Sequence, residues 1–244
     1  MTSTSIYILV NHGSRNLGNS RSLDILVQEI KKQYNFKQVF LESASLESSQ
    51  IPLSLQIEQI AFRYQLQGFI QIKILPLFLL PGVHVQHDIP LEISRAKEHL
   101  ENQVNIELLP YLGSLTGMSS LLEMLFTSIS SDWNVNGKRI LVAHGSRLID
   151  GNQHCQILAR KLDAHLAYWS IEPSIESLAS VLISQGTDSI QILPYFLFEG
   201  GITQALEQRV KNISIEYPKV KFQMSPALSS QKELATLIAQ EIFK

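Results

Sequence analysis

The chain repeats itself, and the repetition limits the folds open to it. Arg139-Ile140-Leu141-Val142-Ala143-His144-Gly145-Ser146-Arg147 restates the apolar run Tyr7-Ile8-Leu9-Val10 and its turn Asn11-His12-Gly13-Ser14-Arg15. Gln191-Ile192-Leu193-Pro194-Tyr195-Phe196-Leu197-Phe198-Glu199-Gly200 restates the segment from Lys73 to Gly82. Val220–Pro226, followed by an apolar helix, restates Val104–Pro110 and its helix. Anchors in the same order are a strong sign of internal duplication, and two units are too few for a solenoid.

Hydrophobic periodicity fills in each unit. Ile6–Val10, Val39–Leu46, Phe69–Leu75 and Val104–Leu109 read as strands. Asn19–Tyr34 reads as a helix with Leu23, Leu26, Ile30 and Tyr34 on one face. Pro52–Leu66, where Leu55, Gln59 and Phe62 alternate with Ile57 and Ile60, is a second helix. Ile89–Leu100 and Leu115–Ile129 complete the set. Strands that alternate with helices predict parallel sheets covered on both faces. The expected fold is α/β: two similar three-layer α/β/α domains with four-stranded parallel sheets, related by a pseudo-twofold axis with a cleft between them. Residues 1–131 form the first domain, 132–137 a turn-rich linker, and 138–244 the second.

Composition removes several classes of function. A net charge of −2 gives no broad basic surface for nucleic acid. The single cysteine, Cys155, excludes an internal disulfide and a cysteine-held zinc or iron–sulfur site within one chain. The N-terminal stretch has no basic region before its apolar run, and no stretch reaches the roughly 18 apolar residues of a spanning helix. A cytoplasmic protein without a membrane partner is expected. Gly13 and Gly18 have the spacing of a phosphate-binding loop, but Asn19 stands where that motif needs Lys. No dinucleotide fingerprint and no nucleophile elbow is present.

What remains is a pair of histidines. Ile74–Pro90 (ILPLFLLPGVHVQHDIP) begins as a buried strand, turns at Pro81-Gly82, presents His84 and His87, and enters a helix at Asp88-Ile89-Pro90. Asp88 is expected as N-cap and Pro90 in the first turn. In an open parallel sheet, ligands bind past the carboxyl ends of the strands, where strand order reverses. The common order 2-1-3-4 makes strands one and three neighbours, which brings His12 and His84 to one crevice. Arg15, beside a helix N-terminus, can clamp a carboxylate there; Arg147 and Lys73 are further candidates. His87 is expected to be solvated. His99, His154 and His165 are placed in helical segments. In the second unit Ile202 aligns with His84 and Leu206 with Asp88, so only the first unit carries two histidines.

The HGSR turn, the PLFLLPGVHVQHDIP segment and its degraded copy PYFLFEGG together resemble the CbiX/SirB-type sirohydrochlorin chelatases in their long, internally duplicated form. The resemblance spans essentially the whole chain. It implies a class II chelatase that inserts Co²⁺ or Fe²⁺, with Ni²⁺ a further candidate, into sirohydrochlorin without ATP, in siroheme or cobalamin synthesis, with no tightly bound cofactor. By the same match His12 is proton acceptor and metal ligand, and His84 the second ligand. Glu47 takes the place of the acidic residue that contacts substrate, although the local Glu-Pro-Ser wording occurs only as Glu172-Pro173-Ser174 in the second unit. Leu79, Leu80, Pro81, Gly82 and Val83 line the macrocycle. Imidazole suits both tasks, since its ordinary pKa of about 6.5 leaves it free as base or ligand near neutrality. The duplicated chain is expected as a monomer. A non-catalytic tetrapyrrole or metal carrier is the rival reading. A histidine phosphatase is a third, disfavoured by Asn11 where those enzymes place Arg.

Overall fold

The computed structural model describes residues 5–13, 17–33, 40–65, 71–129, 136–148 and 150–242. Ser14 and Arg15 therefore lie outside the described residues, as do Tyr34, Val39, Phe69 and most of the 132–137 stretch.

Two four-stranded parallel sheets are present. The first is built from β1 (Ser5–Asn11), β2 (Phe40–Ser45), β3 (Gln71–Pro76) and β4 (Asn105–Leu108), in the order β2-β1-β3-β4. The second uses β5 (Lys138–Ala143), β6 (His165–Tyr168), β7 (Ser189–Pro194) and β8 (Lys221–Met224), in the order β6-β5-β7-β8. Both obey the expected 2-1-3-4 order. His165 opens β6 and pairs with Ile140, so it is a strand residue rather than a helical one.

Helices alternate with the strands. In the first sheet's sequence these are α1 (Leu17–Gln33), α2 (Leu53–Gln65), α3 (Ile89–His99) and α4 (Met118–Ile129). They are followed by α5 (Gln153–Lys161), α6 (Ile175–Ser184), α7 (Gly201–Glu216) and α8 (Lys232–Ile242). Among the described residues no helix is long and apolar enough to cross a membrane.

The core follows from the sequence pattern. β1 is buried along nearly its whole length, as a central strand of a parallel sheet must be. Ile6, Ile8 and Val10 point to one face and pack with Ile57 and Ile60 of α2 and Ile89, Ile93 and Ala96 of α3. Leu23, Leu26, Val27 and Ile30 form the buried stripe of α1. On α2 the buried stripe is Leu53, Ile57, Ile60 and Ala61. Phe62, which alternates with Ile57 and Ile60, is 53% exposed, because it lies off the face that those two define.

Packing divides the chain differently from the repeat. One compact unit is Met1–Leu115 with Ala235–Lys244; the other is Thr116–Leu234. Helix α4, which ends the first sequence unit, therefore packs with the second sheet, against β7. Arg139 of β5 lies 5.2 Å over the Phe126 ring of α4 and reaches Glu123 at 2.9 Å. The apolar face of α4, with Leu121, Leu122, Leu125 and Phe126 all buried, explains why that helix is needed as a cover. The halves 1–131 and 138–244 describe the sequence repeat, whereas the packing boundaries fall near residues 115 and 234.

At the carboxyl edge of the first sheet the parallel ladder runs past the strands. Leu77 N donates to Val10 O (2.7 Å), Leu46 N to Asn11 O (2.9 Å), and Glu47 N to His12 O (2.8 Å). Gly13 follows with φ +93°, and a Cβ there would stand 1.9 Å from the Glu47 carbonyl oxygen. Only glycine fits, for conformational and steric reasons at once. Gly13→Ala is expected to destabilise the protein by about 2 kcal/mol or more, lowering Tm by several degrees; an unchanged Tm in thermal melts would contradict this close approach.

A second expectation concerns pH. Burial lowers the pKa of His154 on α5, and the charge of Lys161 lowers it further. The folded state thus binds this proton more weakly than the unfolded chain, whose value is near 6.5. Stability from neutral His154 is fully present above that value and is lost as pH falls through the lower folded pKa. Between pH 8 and 5, His154→Gln should show a shallower fall of Tm than the parent protein. Parallel curves would show that His154 does not contribute to acid sensitivity.

Candidate metal and substrate site

The ladder past β1 places His12 and Glu47 side by side, and the turn after β3 brings His84 to them. One ligand atom from each of His12, Glu47 and His84 lies within 4.8 Å of the others. His12 Nε2 is 3.8 Å from Glu47 Oε2. The His12 and His84 rings meet edge to face, with centroids 4.7 Å apart and planes at 82°. Phe78 stands 6.3 Å from the His12 ring and 6.0 Å from the His84 ring. His12 and Glu47 side chains are each 53% exposed, so the cluster opens to water.

Each group is held by its backbone. Asn11, the residue before His12, is buried and accepts from Ser45 Oγ at 2.8 Å. That bond ties the ends of β1 and β2 together. Gly113, in a 3₁₀ turn after β4, donates its N–H to Phe78 O at 2.9 Å. A Cβ on Gly113 would lie 2.0 Å from the Leu79 carbonyl oxygen, so the loop that leads to His84 is seated against bare backbone.

His84 begins a single π turn, His84–Asp88, closed by the bond from Ile89 N–H to His84 O. Helix α3 continues from it. Asp88 is therefore not the N-cap expected from sequence: its backbone is already helical, with φ −70° and ψ −48°, and its side chain makes no capping bond. The carboxylate turns instead to His84, with Oδ2 2.7 Å from Nδ1. A neutral His84 then donates from Nδ1 and keeps its Nε2 lone pair. Single π turns inside α-helices are frequent at functional sites.

The three groups form an electron-rich cluster. Each offers a nitrogen or oxygen donor, and the three donors are close enough for one divalent cation to draw them together. Two atoms bound to one ion at about 2.1 Å each are at most about 4.2 Å apart. The observed separations need only small side-chain rotations to close on a metal. Nitrogen and oxygen donors of this kind suit first-row divalent ions.

The remaining candidates sort clearly. Leu79 and Leu80 are half-buried, and Pro81, Gly82 and Val83 are exposed, with Val83 60% accessible. They form an apolar rim next to the histidines. His87 is exposed, as expected. Lys73 lies in mid-strand, 3.8 Å from Glu107 and 5.8 Å from the Tyr7 ring centroid, away from the carboxyl edge. His99 at the end of α3 sits 3.2 Å from Glu58. Arg147 is exposed; Arg15 is outside the described residues. Cys155 is buried, which pushes its thiol up to about 11, so it is protonated and inert at neutral pH.

The second sheet repeats the scaffold without the cluster. Tyr195 N donates to Val142 O (2.8 Å), Trp169 N to Ala143 O (2.9 Å), and Ser170 N to His144 O (2.9 Å). Gly145 again has positive φ, at +85°. Ser170 thus stands where Glu47 stands in the first unit. Glu172, in the Glu-Pro-Ser segment, is two residues further on and accepts from Ser174 N (2.8 Å) and Ser177 Oγ (2.7 Å), which caps α6. These bonds hold its carboxyl below the usual range. The Glu-Pro-Ser wording of the second unit thus belongs to the start of α6, whose N-cap is Ser174, and the hydrogen-bond ladder makes Ser170 the counterpart of Glu47. Ile202 occupies the place of His84, at the start of α7.

Comparison with known proteins agrees with this duplicated scaffold. The family model described as CbiX matches residues 6–128 and again residues 138–244. A sirohydrochlorin cobaltochelatase of Priestia megaterium is 25% identical over 249 residues, covering 96% of this chain and 77% of the relative. A sirohydrochlorin ferrochelatase of the same organism is 24% identical over 184 residues, covering 72% and 68%. Among solved structures, SirB from Bacillus subtilis with Fe³⁺ superposes with a TM-score of 0.78 at 20% identity, covering 98% of this chain and 94% of that one. At that identity the likeness is one of fold. Since the family model takes in both halves, each carrying its own parallel sheet, the chain belongs to the CbiX family.

Proposed function

We propose that this protein is a sirohydrochlorin chelatase that inserts Co²⁺ or Fe²⁺ into the tetrapyrrole without ATP. The observation that carries the reading is the convergence of His12, Glu47 and His84 within 4.8 Å beside an exposed apolar rim. The family membership and the two Priestia relatives support it.

Insertion exchanges two pyrrole N–H protons for one divalent cation. The protein must therefore present a partly dehydrated metal and accept protons at the same face of the ring. His84, with Asp88 on its Nδ1, offers Nε2 as a metal donor. Glu47 supplies the charge that draws the cation in. His12 lies between Glu47 and His84, 3.8 Å from the carboxylate and edge-on to the second ring, and is placed both to bind the ion and to take a pyrrole proton. Loss of the metal from the protein must be as easy as its capture. Three donors without thiolate, His12 and Glu47 exposed and His84 half-buried, form a sparse site that meets this need. The macrocycle would lie on the rim Leu79–Val83, with Phe78 behind it.

The second unit keeps His144 but has Ser170 and Ile202 in place of the carboxylate and the second imidazole. It would contribute scaffold rather than chemistry. The duplication supplies within one chain the pairing that a half-length chain would gain by dimerising, so the active form is a monomer in this reading; a stable dimer in sedimentation at micromolar concentration would argue otherwise.

The test is an insertion assay on sirohydrochlorin with each metal, followed by absorbance under limiting protein. Repeated turnover is expected, and a change that stops at one equivalent would identify a carrier instead. His12→Ala should reduce the rate about 10²- to 10⁴-fold, the usual worth of a general base, while His144→Ala retains most activity. Equal losses in the two variants would place chemistry in the second unit and contradict the assignment.

A further inference from the structure

The role of Asp88 is not that of a helix cap, and the two halves of the chain show what it is for. Asp88 Oδ2 lies 2.7 Å from His84 Nδ1 across one π turn. Arg95, the nearby cation on α3, turns to Glu92 rather than to Asp88. Glu92 in turn accepts from Ser54 N at 2.9 Å and so joins α3 to the start of α2. Glu92 thus takes the cation at this end of the helix, while Asp88 meets the His84 imidazole.

The second unit provides an internal control. Its corresponding helix, α7, covers the stretch of the π turn and α3 as one α-helix; its buried Leu206, Val210 and Ile213 repeat Ile89, Ile93 and Ala96, so Ala205 stands where Asp88 stands, while Ile202 remains the sequence match for His84. The helix opens on Thr203, whose Oγ1 accepts from Gly200 N at 2.8 Å. The helix forms without either polar residue. Histidine and aspartate are absent together where the metal cluster is absent, although the fold needs neither.

We infer that Asp88 is a positioning residue of the metal site. It holds the proton of His84 on Nδ1, fixes the ring, and so aims the Nε2 lone pair at the space shared with His12 and Glu47. A carboxylate on the far nitrogen also raises the donor strength of the imidazole. The inference rests on His84 being a metal ligand, as in the proposed function. It adds that the ligand works only with its partner, and that the π turn is the backbone device that brings the two together.

The experiment uses the whole protein with ¹⁵N-labelled histidine, at about pH 8, where imidazole is neutral. Long-range ¹H–¹⁵N correlation spectra should show His84 with the proton on Nδ1, assigned by its loss in His84→Gln. In Asp88→Ala the His84 signals should shift to a mixture of tautomers, and Co²⁺ affinity measured by titration should fall about 10- to 100-fold. Asp88→Asn, which still offers an acceptor oxygen, should recover part of that affinity, and Tm should stay near that of the parent. A merely structural role would move Tm and leave the tautomer unchanged. Wild-type Co²⁺ affinity in Asp88→Ala, or a proton on Nε2 in the parent protein, would overturn the inference. Should Asp88→Ala fail to fold, the parent spectrum and the Asp88→Asn titration still decide. None of these readouts needs the tetrapyrrole. A protein that passes them yet inserts no metal would sink the chelatase reading and leave the role of Asp88 standing.

Discussion

The proposed site depends first on a single backbone bond, from Glu47 N to His12 O, 2.8 Å long. Ordinary parallel strands diverge once their ladders end. Here the pairing of β1 and β2 continues beyond Ser45, because Gly13 turns away at φ +93° and leaves no Cβ against the Glu47 carbonyl. The first imidazole and the carboxylate are thereby held side by side before any side-chain interaction is made. A second close approach, Gly113 against the Leu79 carbonyl, seats the loop that delivers His84. The geometry of the donors is thus set by backbone contacts that only glycine permits, and those are stiffer than side-chain packing alone.

The duplicated half separates fold from function within one chain. Both sheets extend their ladders in the same way, and both turns carry a positive-φ glycine after a histidine. The shared features are therefore those of the scaffold, and the HGSR turn belongs among them. What differs is Glu47 against Ser170, His84 against Ile202, and Asp88 against Ala205. These three differences coincide with the residues that meet in the first unit. A histidine at the end of a first strand is by itself a weak sign of chemistry, since His144 recurs there without the neighbours that His12 has.

Much of this was legible in the residues. The alternation of buried runs with amphipathic stripes set the element order, and the duplication set the existence of two sheets. Strand order followed from the commonest connection of such units, which placed His12 beside His84. The finer parts were not legible. Asp88-Ile89-Pro90 carries the composition of a helix start, but the chain was already helical at His84, and no local signal marks a π turn. Glu47 was matched by its position after the second strand, while the Glu-Pro-Ser letters that should accompany it occur only at the start of α6, because register between strands is a property of the ladder and not of the sequence around it. The assignment of α4 to the second sheet was hidden for a similar reason: an apolar helix face states that it must be covered, and not by which sheet.

The central claim is that one divalent ion sits among His12, Glu47 and His84 and nowhere equivalent in the second half. Anomalous diffraction at the cobalt edge from crystals of the whole protein loaded with Co²⁺ tests it most directly. The account predicts a single strong site per chain, with both imidazoles and the Glu47 carboxylate at bonding distance of about 2.0–2.2 Å. An ion held at His144, or a strong site that omits His84, would contradict it.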